Sequence, residues 1–423
     1  MTAREMKDSG VEWIGMMPNV WSLKPLKHCV NLKTTKSKTK TGYVGLEQVK
    51  SWEGRLNSST NQEAIPEGDT LAFTKGDVLF GKLRPYLAKC FFALHDGSCS
   101  TEFLVLKPIT IDGRFLKFSL LTSSFIDTVN MSTNGVKMPR ANWDFIGTIK
   151  MPIPDIKEQL VIANFLDTKC AEIDSLTADI EKQIETLQEY KKSVITEAVT
   201  KGLNPNVEME DSGVEWLEPI PNTWSVKRLK QVLENDLQYG AGESGETDID
   251  GPKLRYIRIT DISSNGQLKE ESVLYLPMHK AKFYVVKEGD ILFARSGATV
   301  GKTYFHKGDE CCFAGYLIKC SIKSACCHPR FFYYFTKTST YENWKDVTFS
   351  QATIQNINAE KLANLYLPIP DYHEQIAIVD FLDAKCEVVD NTIQEKQKQL
   401  EILAQYKQSL IYEYVTGKKA VPT

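Results

Sequence analysis

The chain has 423 residues, 42% of them hydrophobic, with 51 basic and 54 acidic side chains and a formal net charge of −3. That is enough apolar sequence for more than one core, and the near-neutral balance argues against an obligatory nonspecific polyanion binder. No run approaches 18 consecutive apolar residues and no signal peptide opens the sequence, so a soluble, cytoplasmic protein with no membrane partner is expected. The ten cysteines are irregularly spaced with no C-x-x-C pair. Cys311-Cys312 and Cys326-Cys327-His328 lack zinc-knuckle spacing, so reduced core thiols are expected and no metal site is assigned.

In chain order, the first recognisable segment is Asp8 to Lys27, DSGVEWIGMMPNVWSLKPLK, and it recurs from Asp211 to Lys230 as DSGVEWLEPIPNTWSVKRLK. Thirteen of the twenty positions are identical at an offset of 203. A second block, from Pro152 to Thr200, recurs from Pro368 to Thr416 at an offset of 216, about half identical over 49 positions without a gap. Periods this long are not those of a solenoid; they mean two homologous halves and an internal pseudo-twofold. Twofold proteins often bind twofold objects.

Between these blocks the halves diverge. Lys24 to Lys50 holds seven lysines, Lys36 and Lys38 among them, against one carboxylate, Glu47. Such a run is commonly a solvated face, but the twofold architecture favours a nucleic-acid surface. DVLF, EFLVLKP, RYIRITDI and DILFAR are short, apolar and rich in β-branched residues, and predict strands. Arg114 to Phe125 and Pro329 to Thr338 predict helices packed on the sheet, which gives an α/β (α+β) class. GDVLF (Gly76 to Phe80) matches GDILF (Gly289 to Phe293), Tyr43-Val44 matches Tyr256-Ile257, and Asn142 matches Asn358. A frame kept twice around diverged centres fits one job performed on two different things.

The shared block predicts one long helix per half. Leu166, Ile173, Ile180, Leu187 and Val194 recur every seven residues, flanked by Cys170, Ile184 and Ala198. The copy gives Leu382, Val389, Leu403 and Leu410 with Cys386, Ile393, Leu400 and Tyr414, and Lys396 stands where Ile180 stands. Sustained heptads argue coiled coil, and the nearest complementary stripe is the chain's own copy, so an intramolecular, antiparallel pair is expected. Asp155 with Glu158, and Asp371 with Glu374, fit an N-cap with an acidic partner three residues on, and Gly202 and Gly417 fit left-handed C-caps. Helices of some 46 residues would reach about 70 Å at 1.5 Å per residue, more than one duplex turn of about 34 Å. The DSGVEW segment should then lie beyond the end of the second helix, as its copy lies beyond the first.

Two motifs invite a nucleotide. GAGESG, Gly240 to Gly245, matches G-x-G-x-x-G, but it runs into the acidic, turn-like ETDIDGP instead of opening a helix, so a flexible loop is expected. GATVGKT, Gly297 to Thr303, is one residue short of a P-loop, and the aligned segment from Arg84 has no glycine loop. No nucleophile triad, amino-methyltransferase base-flipping motif or Mg²⁺-binding motif accompanies them. No catalytic residue and no cofactor is assigned to this chain.

DSGVEWIG…PNVWSLKPLK with its copy, GDVLF/GDILFARSGATVGK, the PIPDIKEQ/PIPDYHEQ openings and the helices ending AVTKGLNP and YVTGKK resemble the specificity subunit of a type I restriction-modification system over essentially the whole chain. The resemblance implies two homologous target-recognition domains, residues 1–150 and 204–366, separated by two conserved helices, 151–203 and 367–423, paired as an antiparallel coiled coil. It implies a non-catalytic subunit that reads a bipartite, asymmetric double-stranded DNA target. Two methyltransferase subunits would carry S-adenosylmethionine and methylate adenine at N6, and motor-nuclease subunits would use ATP and Mg²⁺ to cleave.

Matched loops in the two halves supply the DNA-contacting candidates. They are Lys82, Arg84 and Lys89 after the first GDVLF strand, with Arg295 and Lys302 after its copy. Lys137 and Arg140, and Gln351 and Gln355, precede the long helices. Arg and Lys suit guanine edges and phosphates, and Gln suits adenine. Asn142 and Asn358, shared by both halves, are expected to be structural, and the shared tryptophans Trp13/Trp216 and Trp21/Trp224 are expected to belong to the frame, as core or partner surface. Two other readings remain open at this stage: a nucleotide hydrolase using GATVGKT, and a coiled-coil assembly protein with no DNA role.

Overall fold

A computed structural model describes residues 4–37, 42–57, 68–133, 138–263, 266–297, 299–349 and 356–422. The chain divides into two compact units, residues 1–181 with 396–423, and residues 182–395. Both divisions fall inside the long helices Ile156–Lys201 and Tyr372–Val415. Each unit therefore comprises one variable region with half of each helix.

In unit one the GDVLF strand, Val78–Gly81, lies inside an antiparallel sheet ordered Val30–Lys33, Phe103–Pro108, Val78–Gly81, Cys90–Phe92. Its side chains alternate between two cores, as a strand with both faces covered requires. Val78 and Phe80 join the larger core, and Leu79 joins a smaller one under the sheet Tyr43–Val44, Gly97–Ser100, Thr70–Phe73. Unit two repeats the plan with Gln238–Tyr239, Leu317–Cys320, Ile291–Ala294 and Thr303–Phe305. Among the described strands pairing is antiparallel apart from Tyr43–Val44 with Gly97–Ser100 and its counterpart Lys253–Ile257 with Cys311–Phe313, which the single parallel bridge Ala241–Ala314 accompanies, so the class is α+β. A two-stranded clasp closes each variable region: Ser22–Pro25 with Lys150–Ile153, and Ser225–Arg228 with Tyr366–Ile369.

The helices expected on the sheets are present but shorter. Arg114 to Phe125 is two helices, Gly113–Leu120 and Ser123–Met131, because Thr122 is extended (φ −71°, ψ 140°) and its hydroxyl donates to the Ser119 carbonyl. The second ends at Phe335, and a separate helix, Ser339–Phe349, follows.

The long helices start and stop where the sequence marks them. Asp155 accepts from the amides of Lys157 and Glu158, Asp371 from those of His373 and Glu374, and Gly202 and Gly417 close the ends at φ 78° and 75°. The acidic partners do something else than complete capping boxes. Glu158 accepts from Trp21 Nε1 at 2.9 Å and Glu374 from Trp224 Nε1 at 3.0 Å, so each ties a shared tryptophan to the helix start. A buried indole N–H needs an acceptor, and that demand outweighs the capping role.

In unit one the helical halves run antiparallel: Phe165 meets Tyr414, with ring centroids 4.5 Å apart, and Asp174 meets Lys407 at 2.6 Å. Unit two contains the same ion pair between the corresponding residues, Lys191 and Asp390, at 2.7 Å. The heptad seam is buried at Leu166, Cys170 and Ile173 and at Leu382, Cys386 and Val389, whereas Ile184, Leu187 and Leu400 are half-buried. Near the end of the first helix Ala198 is buried as expected, but Ile195 and Val199 are buried beside it while Val194 is half-buried, the drift that a straight 3.6-residue helix shows against a strict heptad. The opening segment lies where it was expected: the Ile14 carbonyl accepts from Tyr412 and Lys418, beside the end of the second helix.

Each variable region is fastened to its helix by the same residues. Gln159, buried, accepts from the Asp112 amide at 2.7 Å, and Gln375 accepts from the His328 amide at 2.7 Å. Asp167 pairs with Arg114 and Lys117, and Asp383 pairs with Arg330 and Tyr334.

Candidate nucleic-acid interface

The loop after each GD(V/I)LF strand and the segment before each long helix are far apart in sequence, and the structure joins them twice. In unit one Leu83 bridges Arg140, the Arg84 amide donates to Pro139 at 2.8 Å, and Ala141 donates to Lys82 at 2.9 Å. In unit two Ser296 bridges Asn356, and Ile357 donates to Arg295 at 2.9 Å. The neighbouring strand completes both: Lys82 donates to Glu102 at 2.9 Å, and Arg295 to Tyr316 at 3.1 Å. The backbone frame is thus the same, while the side chains on it are Lys82, Glu102 and Arg140 in one unit and Arg295, Tyr316 and Asn356 in the other.

The individual candidates separate on this edge. Arg84 is exposed at φ 51°, ahead of Pro85, and Lys82 is half-buried; neither side chain has a partner among the described residues. Arg140 is held by Glu102, and Arg295 lies 4.7 Å over the ring of Tyr239. Tyr239 itself is fixed, its hydroxyl accepting from the Ala359 amide at 2.9 Å. Tyr239, Glu102 and Tyr316 were not foreseen, since a single aromatic or acid at a strand end gives no periodic signal.

Lys89 and Lys302 are placed differently. Lys89 Nζ donates to the Leu46 carbonyl at 2.6 Å and Lys302 Nζ to the Ile262 carbonyl at 2.9 Å, and burial pushes both ammonium groups below the usual lysine range. They tie the short 3-10 turns Leu46–Gln48 and Ile259–Asp261 to the sheet. Their equivalence in sequence therefore reflects the frame. Lys36 is exposed and pairs with Asp69 at 2.5 Å. Lys38, Lys137, Gln351 and Gln355 lie outside the described residues. Asn142 and Asn358 cap helices, accepting from the amides of Asp144 and Lys361.

The basic run from Lys24 to Lys50 is less free than its composition implies, because its partners come from outside the run. Lys33 is paired with the buried Asp77 at 2.6 Å, and Lys50 lies 3.7 Å from Glu53. GAGESG is a pinned loop: Ala241 donates to Phe313 at 2.8 Å, and a Cβ on Gly240 would meet the Ala314 oxygen at 2.3 Å. Its first glycine serves approach to a strand, with no helix N-terminus beyond it. GATVGKT connects the antiparallel strands Ile291–Ala294 and Thr303–Phe305, which is a hairpin and not a strand–loop–helix phosphate cradle. All ten cysteines are free, and burial pushes Cys90, Cys99, Cys312 and Cys327 up to about 12.

A half-buried cation lies behind the second hairpin. Lys337 Nζ donates to the Thr303 carbonyl at 3.0 Å and lies 4.6 Å over Tyr333. Burial pushes it down to about 7, with Lys302, Lys191 and Lys345 repelling it further and Glu342 offsetting part of that. The unfolded lysine titrates near 10.5, so between about 7 and 10.5 the unfolded chain binds the extra proton and stability rises with pH. Lys337→Met is expected to flatten that rise and to stabilise the protein by about 1–3 kcal/mol at pH 6–7, read from urea midpoints. An unaltered pH dependence would assign the slope to other groups.

Two diverged side-chain sets on one repeated frame define a tandem recognition protein. The sequence model for the "Type I restriction modification DNA specificity domain" matches residues 26–186 and 221–404, so the chain belongs to that family and is a DNA target-recognition subunit of the type I restriction-modification class. The MjaVIII specificity subunit of Methanocaldococcus jannaschii is 27% identical over 318 residues, covering 73% of this chain and 70% of that one. The EcoBI specificity subunit of Escherichia coli is 25% identical over 271 residues, covering 60% and 55%. A chain from a solved structure concerning complex assembly and conformational transition of the type I R-M system shares the fold at a TM-score of 0.73, with 18% identity and 95% and 99% coverage. Among the described residues no helix is long and apolar enough to cross a membrane.

Proposed function

We propose that each unit reads one half of a bipartite, asymmetric double-stranded DNA target and that the chain directs partner subunits to it without itself being catalytic. The observation that carries this is the repeated edge, on which Lys82, Glu102 and Arg140 of unit one occupy the positions that Arg295, Tyr316 and Asn356 occupy in unit two. Side chains at a shared, rigid frame position specify bases, and phosphate contacts orient them. Arg84, Arg140 and Arg295 are the described cations best placed for it; Lys89 and Lys302 support the frame.

The partners in this reading are two adenine-N6 methyltransferase subunits carrying S-adenosylmethionine, and motor-nuclease subunits using ATP and Mg²⁺. An apolar patch opens each long helix, with Ile156 and Leu160 exposed in one unit and the corresponding Tyr372 and Ile376 in the other. Two copies of one apolar patch fit two copies of one partner.

Arg84→Ala is expected to slow methylation of target DNA about 5- to 150-fold in the complex with the methyltransferase, from loss of one strong phosphate or base contact. Single-turnover methylation kinetics check it, and unchanged rate and sequence preference would remove Arg84 from the interface.

A further inference from the structure

We propose that Arg140 reads a guanine in the half-site taken by unit one, with Glu102 as the residue that positions it; this rests on the reading of the chain as a DNA target-recognition subunit. Arg140 donates from Nε to Glu102 Oε2 at 3.1 Å and from Nη2 to Oε1 at 3.0 Å. That fork uses one edge of the guanidinium. The other edge, the Nη1 hydrogens and the second Nη2 hydrogen, has no protein partner among the described residues, and the side chain is 54% exposed.

Two parallel donors on a free guanidinium edge match two acceptors side by side. In the major groove guanine alone offers that pair, at O6 and N7. Adenine sets a donor beside N7, cytosine presents a donor, and thymine one acceptor and a methyl group. The edge is also held before any ligand arrives. The Arg140 backbone is clamped on both sides by the Arg84–Pro139 and Ala141–Lys82 bonds, and Glu102 is fixed through Lys82 and through its own amide to Ser100 at 3.2 Å. A side chain ordered in advance loses less entropy on binding.

Among the described residues the same fork does not leave a reading edge elsewhere. Arg258 grips Asp261 through Nε and Nη2, but its Nη2 also donates to the Ser272 carbonyl at 3.0 Å, which occupies the end of the guanidinium. In unit two the positions of Glu102 and Arg140 are held by Tyr316 and Asn356, which cannot form the pair. A guanine read by this arginine–carboxylate pair therefore belongs to the half-site of unit one.

The test is N6-methyladenine sequencing of a methylation-free host expressing the full chain with its methyltransferase partner, as wild type, Arg140→Lys and Glu102→Gln. The expected result is a wild-type motif with a guanine in one half-site that becomes degenerate in Arg140→Lys, with discrimination falling about 5- to 150-fold at that base. Glu102→Gln relaxes the same base to a lesser degree. The second half-site, unchanged throughout, shows that the variants fold. A motif kept whole while all sites are methylated more slowly makes Arg140 a phosphate contact and overturns the proposal alone. A wild-type complex that methylates without any sequence motif overturns both the proposal and the reading beneath it.

Discussion

Replacing residues 28–149 by the corresponding region of another family member is expected to change one half of the methylated motif completely and leave the other half untouched. The clasp strands Ser22–Pro25 and Lys150–Ile153 lie just outside that exchange, so the incoming region is closed by this chain's own backbone. The incoming region must meet two fixed demands: an amide for Gln159, now supplied by Asp112, and cations for Asp167, now supplied by Arg114 and Lys117. Unit two makes the same demands at Gln375 and Asp383, which is why diverged regions can share one frame. Methylome sequencing of the exchange variant decides it. A change in both halves would show that the units do not read independently.

The second large effect is on stability. Trp21→Ala is expected to cost about 3–5 kcal/mol, the range for truncating a buried aromatic. Trp21 is fully buried, its Nε1 satisfies Glu158, and a Cβ on Gly417 would come within 3.0 Å of its ring. The substitution therefore opens a cavity at the point where the opening segment, the start of one helix and the end of the other converge in unit one. Trp21→Phe separates the terms: most of the volume stays and only the hydrogen bond goes, at about 0.5–1.5 kcal/mol. Urea midpoints measure both, and a loss under 1 kcal/mol for Trp21→Ala would show that this junction relaxes freely.

Much of the architecture was legible because duplication made it so. Agreement between two copies at Asp155/Asp371 and Gly202/Gly417 identified helix ends that a single copy would have left ambiguous. What periodicity could not show is tertiary demand. Glu158 reads as half of a capping box until the buried indole of Trp21 claims it. Lys89 and Lys302 read as DNA contacts because they follow a shared strand, yet shared position in a diverged region is the mark of a residue that supports the frame. In the proposed reading the readers are the positions where the copies disagree, and Glu102 against Tyr316 becomes visible as one such position only after the strands are paired.

The measurement that tests the central claim most directly is to express this chain with its methyltransferase partner in a methylation-free host and sequence the DNA for N6-methyladenine. A single motif of two unlike half-sites around an unread gap, absent when this chain is omitted, is the predicted result. Methylation that persists with the same motif after the chain is removed would contradict it.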